Sequence, residues 1–346
     1  MNPYAKLITT TSLVMGTTIA ISSNHWAMIW TGLEINTLAI IPMISKSHHP
    51  RAIEAAIKYF LVQATASALV LFSSTINAWS SGQWDITQLT NPVSSTLLTT
   101  AIATKLGLVP FHFWFPEVLQ GSSLTTALLL STMMKFPPLT ILLLTTNSLN
   151  PTLLTTMAIS SAALGGWTGL NQTQTRKILA FSSISHLGWM SLILIYFPKL
   201  TLLTFILYTL LTSTVFLSFN LSNTIKLSTM MTSWTKNPPL NATLMLTLLS
   251  MAGLPPLTGF LPKWFIIQEL TKQEMTPAAL IITLLSLLSL FFYLRLTYYS
   301  TITLPPNPMN HMKHWYLNKP TNTSLAVLTS LSILLLPLSP TILATA

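Results

Sequence analysis

Four ionisable residues lie near the middle of long apolar segments of this chain: Glu34, Lys105, Lys135 and Lys263. Placing one such residue at the centre of a bilayer costs ~2.5–3.5 kcal/mol, whereas a leucine would pack there without that cost. A lysine stem does not reach the surface from this depth, because about ten residues of helix leave ~15 Å to the nearer interface. Titratable groups inside a membrane can accept and release protons. The pattern therefore predicts a proton path, with Glu34 paired to Lys105 and the other two lysines further along.

The composition indicates an integral membrane protein. Hydrophobic residues make up 51% of the 346 residues, charged residues make up 6%, and the mean hydropathy is +0.61. Soluble domains carry about a quarter charged residues. Apolar stretches of roughly 20 residues, the length that crosses a bilayer as a helix, recur along the whole sequence. We predict an all-α polytopic fold in which residues 1–346 form a single membrane domain.

The apolar stretches predict about eleven spans. The first follows the start MNPYAKLITT almost directly, and this start has neither an Arg-rich leader nor a cleavage site, so we expect the span to be retained. A proline-rich segment with two aromatic residues, 302–321, has the composition of an interfacial loop. The predicted spans are 3–22, 25–44, 55–80, 94–118, 123–146, 150–170, 174–197, 199–223, 240–271, 276–301 and 322–344.

The basic residues, 16 against 6 acidic ones, are scattered in short loops without interleaved aromatic residues, so the sequence does not indicate nucleic-acid binding. With eleven spans, only Lys199 and Lys272 fall on the face opposite the N-terminus. Positively charged loops stay on the inner side, so the N-terminus is predicted there and the C-terminus on the other side. The basic residues on the N-terminal face are Lys6, Lys46, Arg51, Lys58, Arg176, Lys177, Lys226, Lys236, Arg295, Lys313 and Lys319.

The fourth and ninth spans share a motif that predicts an internal repeat. Each contains Gly-Leu-x-Pro with a second proline six residues later, in KLGLVPFHFWFPE (105–117) and GLPPLTGFLPK (253–263). Proline lacks an N–H donor and breaks a helix, so we expect both spans, about 94–118 and 240–271, to consist of two half-helices. The motifs are separated by five spans, an odd number. This predicts an inverted repeat, about 1–146 and 150–301, followed by a loop and one C-terminal helix (302–346).

Several other titratable residues have both a structural and a functional interpretation. His186, near the middle of the seventh span, and His112, inside the fourth-span motif, can be packing residues or proton relays. Glu117 aligns with Lys263 in the repeat and could close the path. Glu54 and Lys58, four residues apart, indicate a surface ion pair. The chain has no cysteine, which excludes disulfides and Cys-ligated iron–sulfur clusters, and we find no phosphate-binding loop, metal-ligand spacing or nucleophile–base pair.

The chain resembles the antiporter-like subunits of NADH:ubiquinone oxidoreductase (respiratory complex I), in particular the mitochondrially encoded subunit 2 family. The stretches that carry this resemblance are MNPY, TGLEINTLAIIP around Glu34, TAIATKLGLVPFHFWFPEVLQG, STMMKFPP around Lys135, TRKILAFSSISHLGW and LSMAGLPPLTGFLPKW around Lys263. The resemblance implies a Glu34–Lys105 pair, a central Lys135 and an exit-side Lys263. Eleven spans agree with animal members of the family, which lack three N-terminal helices found in bacterial relatives.

The resemblance also implies where the protein resides and what surrounds it. We expect the mitochondrial inner membrane, with the N-terminus in the matrix and the C-terminus in the intermembrane space. The expected partners are other membrane-arm subunits of complex I and the lipid bilayer, with cardiolipin as a candidate lipid. No cofactor is expected on this chain, since FMN, the iron–sulfur clusters and ubiquinone are used elsewhere in such a complex.

Two alternatives remain open at this point. A stand-alone cation/proton antiporter would share the fold and the buried lysines, and it would exchange ions in liposomes without partners. A scaffold subunit would hold its neighbours together without a proton path, and replacing Lys135 by methionine would then leave pumping intact. The four buried charges, at a combined cost of ~10 kcal/mol, argue against a scaffold.

Overall fold

The computed structural model describes residues 3–231, 233, 238–301 and 323–338, and over these residues the chain is helical with short connections. This confirms the all-α prediction. The predicted loop 302–321 and the last part of the predicted eleventh span lie outside the described residues. The helices are α1 (Pro3–Ser22), α2 (Trp26–Ile44), α3 (Pro50–Ser81), α4 (Pro92–Leu106), α5 (Trp114–Gly121), α6 (Leu124–Ser131), α7 (Phe136–Leu144), α8 (Pro151–Gly169), α9 (Thr175–Ile193), α10 (Pro198–Ser222), α11 (Leu227–Met231), α12 (Pro238–Ala252), α13 (Phe260–Lys272), α14 (Thr276–Thr301) and α15 (Thr323–Leu334).

The chain forms two compact units. The first contains the residues up to Ser161 together with Met190–Pro198, and the second contains Ala162–Trp189 and the residues from Lys199 onward. In the first unit, α3 packs against α2, α4 and α5. In the second unit, α14 packs against α11, α12 and α13. The division into two inverted repeats of five spans stays a prediction.

Two helices break where the repeated motifs predict. α4 and α12 are both 15 residues long, and they begin 146 positions apart, at Pro92 and Pro238. α5 and α13, which follow the two breaks, also begin 146 positions apart. Gly107 and Gly253 come directly after the first half-helices with φ of +77° and +88°. Residues with a side chain rarely adopt this left-handed conformation, which explains why both helices end on glycine.

The prediction of two broken helices is incomplete, because the fifth span is interrupted as well. α6 ends at Ser131, a 3₁₀ turn covers Met133–Lys135, and α7 begins at Phe136. Pro137 and Pro138 have no N–H, so neither can bond a carbonyl four residues earlier as a continuous helix requires. Proline is favoured in the first turn of a helix, where that donor is not needed. The FPP sequence after Lys135 was therefore the signal for this third break.

Five helical segments of the described residues are long and apolar enough to cross a membrane: 26–44, 50–81, 124–144, 198–222 and 276–301. Of the other predicted spans, the fourth and ninth are divided into short half-helices, the eleventh is described only in part, and the remaining three contain many Ser and Thr residues. These hydroxyls bond within their own helix, as when Thr9 Oγ1 donates to the Lys6 carbonyl at 2.9 Å. A helix with satisfied hydroxyls can still lie in a membrane although its hydropathy is lower. The total of eleven crossings remains a proposal.

Arg295 on α14 binds the backbone just beyond the end of α8. Its Nη2 donates to the Gln172 carbonyl at 2.7 Å, and its Nη1 donates to the Leu170 carbonyl. A cation at this position also complements the negative end of the helix dipole. We expect Arg295→Met to lower the stability of the chain by about 1.5–3 kcal/mol, because two charge-assisted hydrogen bonds are lost. Thermal unfolding of the assembled protein would measure this. Arg295→Lys should lose less, and equal melting of Arg295→Met and wild type would contradict the assignment.

Candidate functional site

The three predicted lysines all lie beside helix interruptions. Lys105 is in the last turn of α4, directly before the first break. Lys135 ends the 3₁₀ turn between α6 and α7. Lys263 is the fourth residue of α13, just after the second break. Glu34, in contrast, lies in the middle of the regular helix α2. In membrane proteins, irregular backbone occurs where it is buried in protein or lines water, which is where a buried amine can exchange protons.

Lys105 is buried inside the protein, with only 5% of its surface exposed. Its Nζ and the Glu34 Oε2 atom have no hydrogen-bond partner among the described residues. Glu34 is close enough for its charge to act on Lys105. Within the described residues, however, Glu34 and Lys105 form no ion pair of 4.0 Å or less. The structure thus shows no direct ion pair between Glu34 and Lys105, and their partnership in a proton path stays a prediction.

Lys135 packs against an aromatic ring of α5, the half-helix that follows the first break. Its Nζ lies 4.6 Å from the centre of the Phe115 ring on α5, a distance typical of a cation–π contact. Only 2% of Lys135 is exposed, and Phe115 is buried as well. An aromatic face stabilises a charged amine. The role of Lys135 in proton transfer stays a prediction.

Lys263 caps the half-helix that precedes it. Its Nζ donates to the carbonyl of Ala252, the last residue of α12, at 2.7 Å, and lies 5.9 Å from the ring centre of Trp189. The ammonium group therefore sits at the negative end of the α12 dipole. The side chain is half-buried. The break in the ninth span and the position of its lysine are thus parts of one arrangement.

The two histidines have different surroundings. His186 on α9 lies within 3.4 Å of the Tyr293 hydroxyl through Nε2, and its ring lies 5.7 Å from that of Tyr208. His112 lies in the first break, is buried, and has no hydrogen-bond partner for its Nδ1 among the described residues. Its ring lies 4.2 Å from the Phe113 ring. Both histidines stay predictions as relays, and His186 has hydroxyl neighbours that suit such a role.

Glu117 is part of an ion cluster that the sequence predicted only in part. Lys58 Nζ contacts Glu54 Oε1 at 2.5 Å, as expected from their spacing, and also Glu117 Oε2 at 2.6 Å. The second contact joins α3 to α5. All three side chains are well exposed, so the cluster is weaker than a buried pair. Glu117 as a group that closes the path remains a prediction.

Sequence reasoning missed the buried tyrosines near the predicted residues. Tyr59 on α3, Tyr208 on α10 and Tyr293 on α14 are all buried. Tyrosine is common in membrane helices as a packing or interfacial residue, so its type alone does not point to a site. A signal for Tyr59 was available, since it belongs to the stripe Ala52, Ala55, Ala56, Tyr59, Gln63 and Ala66, which predicts one buried face of a helix.

Among the described residues, no group of three or more His, Asp and Glu could hold a metal ion. The groups that the structure does provide are amines, one carboxylate, imidazoles and phenols, each partly or fully enclosed in the protein. Such groups can transfer protons. The expectation that this chain carries no cofactor stays a prediction.

Comparison with known proteins first gives the class. Residues 23–289 match the family model described as NADH:quinone oxidoreductase/Mrp antiporter, TM. The fold is similar to a chain of respiratory complex I from Thermus thermophilus with bound aureothin, with a TM-score of 0.83 over 97% of this chain and 80% of that chain, at 24% sequence identity. The protein is therefore an all-helical membrane protein with the antiporter-like fold.

Closer relatives give the particular family. The chain is 77% identical over 344 residues to NADH-ubiquinone oxidoreductase chain 2 of Struthio camelus, and 76% identical over 343 residues to that of Gallus gallus, with 99% of both chains covered in each case. Residues 290–343 match the model described as NADH dehydrogenase subunit 2 C-terminus. This chain belongs to the NADH-ubiquinone oxidoreductase chain 2 family, which confirms the resemblance seen in the sequence.

Proposed function

We propose that this chain translocates protons as a membrane-arm subunit of respiratory complex I. Protons pass through Glu34, Lys105, Lys135 and Lys263, while electron transfer from NADH to ubiquinone takes place on other subunits. The chain then resides in the mitochondrial inner membrane, with its N-terminus in the matrix and its C-terminus in the intermembrane space. Its partners are the neighbouring membrane-arm subunits and the bilayer lipids, cardiolipin among them.

One observation carries this proposal: the lysines at the helix interruptions point into protein. Lys105 and Lys135 are 5% and 2% exposed, so neither lies in lipid. Each buried amine costs ~2.5–3.5 kcal/mol relative to an apolar residue on the insertion scale. Among the described residues, Lys105 Nζ has no hydrogen-bond partner and no carboxylate within 4.0 Å, and Lys135 Nζ lies against the Phe115 ring. A buried amine that no carboxylate holds, as at Lys105, can change its charge during turnover.

The remaining titratable residues extend the proposal. His186, with two tyrosines beside it, is a relay in the second unit. His112 is a relay in the first break. Glu117, held by Lys58, closes the path from the exposed side. These three assignments depend on the first four, because each supplies or removes protons from the central groups.

Charge removal at the first pair tests the proposal. Glu34→Gln and Lys105→Met are each expected to lower the protons translocated per NADH by the assembled enzyme, because neither replacement can carry a proton. Single proton-transfer groups typically contribute at least ~100-fold to a proton-transfer rate. The measurement is proton uptake into sealed vesicles alongside NADH oxidation.

The same experiment separates the alternatives. If both variants assemble and pump like wild type, the chain is a scaffold and the proton path is wrong. If the purified chain alone exchanges cations for protons in liposomes, it acts as an independent antiporter. We expect no such exchange without partners, because the family is that of an enzyme subunit.

A further inference from the structure

Tyr59 is buried in the first unit with a hydroxyl group that has no protein partner among the described residues. Only 1% of the residue is exposed, and Oη makes no hydrogen bond to any described atom. Its ring meets Trp114 edge-on, with 5.8 Å between ring centres and 60° between planes. Trp114 Nε1 in turn donates to the Thr104 carbonyl at 3.1 Å. The Tyr59 ring thus packs against a tryptophan that is bonded to the residue preceding Lys105, while the Tyr59 hydroxyl makes no hydrogen bond to the described residues.

Tyr59 lies on α3, which packs against the two helices that carry the predicted partners Glu34 and Lys105. α3 packs against α2, which carries Glu34, and against α4, which carries Lys105. Glu34 is close enough for its charge to act on both Tyr59 and Lys105. One turn after Tyr59, Gln63 Nε2 donates to the backbone carbonyl of Lys105 at 3.5 Å. The side chains of Glu34, Tyr59 and Lys105 therefore form one neighbourhood within the first unit.

Three polar atoms of this neighbourhood share the same feature. Glu34 Oε2, Tyr59 Oη and Lys105 Nζ are each enclosed and without a hydrogen-bond partner among the described residues. Enclosed polar groups of this kind are the usual setting of a buried water molecule, which typically makes about three hydrogen bonds. The phenol hydroxyl can donate and accept hydrogen bonds at the same time. A lysine ammonium only donates them, and an ionised carboxylate only accepts them.

We propose that the Tyr59 hydroxyl is the proton relay between Lys105 and Glu34, connected to them through water. This inference rests on the proposed function. In one transfer, an N–H bond of the Lys105 ammonium breaks and its proton reaches the Tyr59 oxygen through water. The original O–H bond of Tyr59 breaks, and that proton goes to the Glu34 carboxylate. The phenol is unchanged, the amine and the carboxyl become neutral, and one proton has moved. The reverse order of the same steps returns it.

Tyr59→Phe tests the relay, because it removes the hydroxyl and keeps the ring against Trp114. In sealed vesicles that contain the assembled enzyme, we expect proton translocation per NADH to fall to the level of the Glu34→Gln variant, with the amount of assembled enzyme unchanged. Tyr298→Phe, which removes the hydroxyl of a residue on α14 that is 53% exposed, is the matched control and should pump like wild type. Wild-type pumping by Tyr59→Phe would overturn the relay.

The outcome is distinguishable from failure of the proposed function. If Glu34→Gln and Lys105→Met abolish pumping but Tyr59→Phe does not, only the role of the hydroxyl is wrong. If all three pump normally, the proposed proton path is wrong as a whole. Should Tyr59→Phe fail to assemble, the wild-type enzyme decides through its density map. Water within about 3.2 Å of Tyr59 Oη supports the relay, and a hydrogen bond from Oη to a lipid, a partner or another protein group overturns it.

Discussion

Lys135→Met is expected to remove the proton translocation that depends on this subunit, while the chain assembles at least as well as wild type. Methionine nearly matches the length of lysine and packs well in apolar surroundings, but its sulfur does not carry a proton. Removal of the buried amine also relieves an insertion cost of ~2.5–3.5 kcal/mol. The measurements are the protons translocated per NADH and the thermal stability of the purified enzyme. We expect the first to fall and the second to stay equal or rise.

Leu142→Met is a matched control for this variant, since Leu142 is also buried and lies on α7, two turns after Lys135. A volume-conserving apolar exchange of this kind usually costs less than about 1.5 kcal/mol and should leave pumping unchanged. If Lys135→Met pumps like wild type, Lys135 is a packing residue. If both variants lose pumping, the effect comes from disturbed packing around α7 and not from the missing amine.

Gly253→Ala is expected to disrupt the second break and the position of Lys263 together. A Cβ at Gly253 would lie 2.8 Å from Lys263 Nζ and 2.9 Å from its Cδ, so the lysine side chain has to move. The hydrogen bond from Nζ to the Ala252 carbonyl would then be lost. We expect a loss of about 1–3 kcal/mol from the unsatisfied carbonyl, in addition to backbone strain, and a clear fall in proton translocation.

Gly82→Ala separates strain from displacement of the lysine. Gly82 has a φ of +73°, similar to the +88° of Gly253, but a Cβ there would meet nothing within 4 Å. Both variants should lose about 1–2 kcal/mol of stability, because alanine disfavours the left-handed backbone conformation. Only Gly253→Ala should reduce pumping, measured as protons per NADH at equal amounts of assembled enzyme. Equal pumping by the two variants would show that the contact between Lys263 and Ala252 is not needed.

Much of the fold follows from local features of the sequence. Apolar length predicts the helices, and α14 has the predicted bounds of 276–301. The spacing of glycine and proline predicts the breaks after α4 and α12, because each residue acts on its own backbone: glycine permits a left-handed residue and proline removes a donor. The same rule applies to the prolines after Lys135, where the third break was overlooked although the sequence carried its signal.

Only those site residues whose burial in a membrane costs free energy could be predicted from the sequence. Lys105 and Lys135 stand out in an apolar segment because charge is expensive there, and the structure places both inside protein. Contacts between residues that are far apart in the sequence leave no such signal in it. The bond between Lys58 and Glu117 joins residues 59 positions apart, and nothing in either local sequence indicates it. Tyr59 was missed for a related reason, since a phenol costs little in a membrane helix and becomes notable only when its hydroxyl lacks a partner.

The central claim is that these buried groups change their protonation while the enzyme works. Infrared difference spectroscopy of the assembled enzyme during NADH oxidation tests it most directly, because the C=O stretch of a protonated carboxyl group is separate from that of a carboxylate. We predict a protonated-carboxyl signal that appears and disappears with turnover and that is missing in the Glu34→Gln variant. A wild-type spectrum in which no carboxyl signal assigned to Glu34 changes between resting and working enzyme would contradict the account.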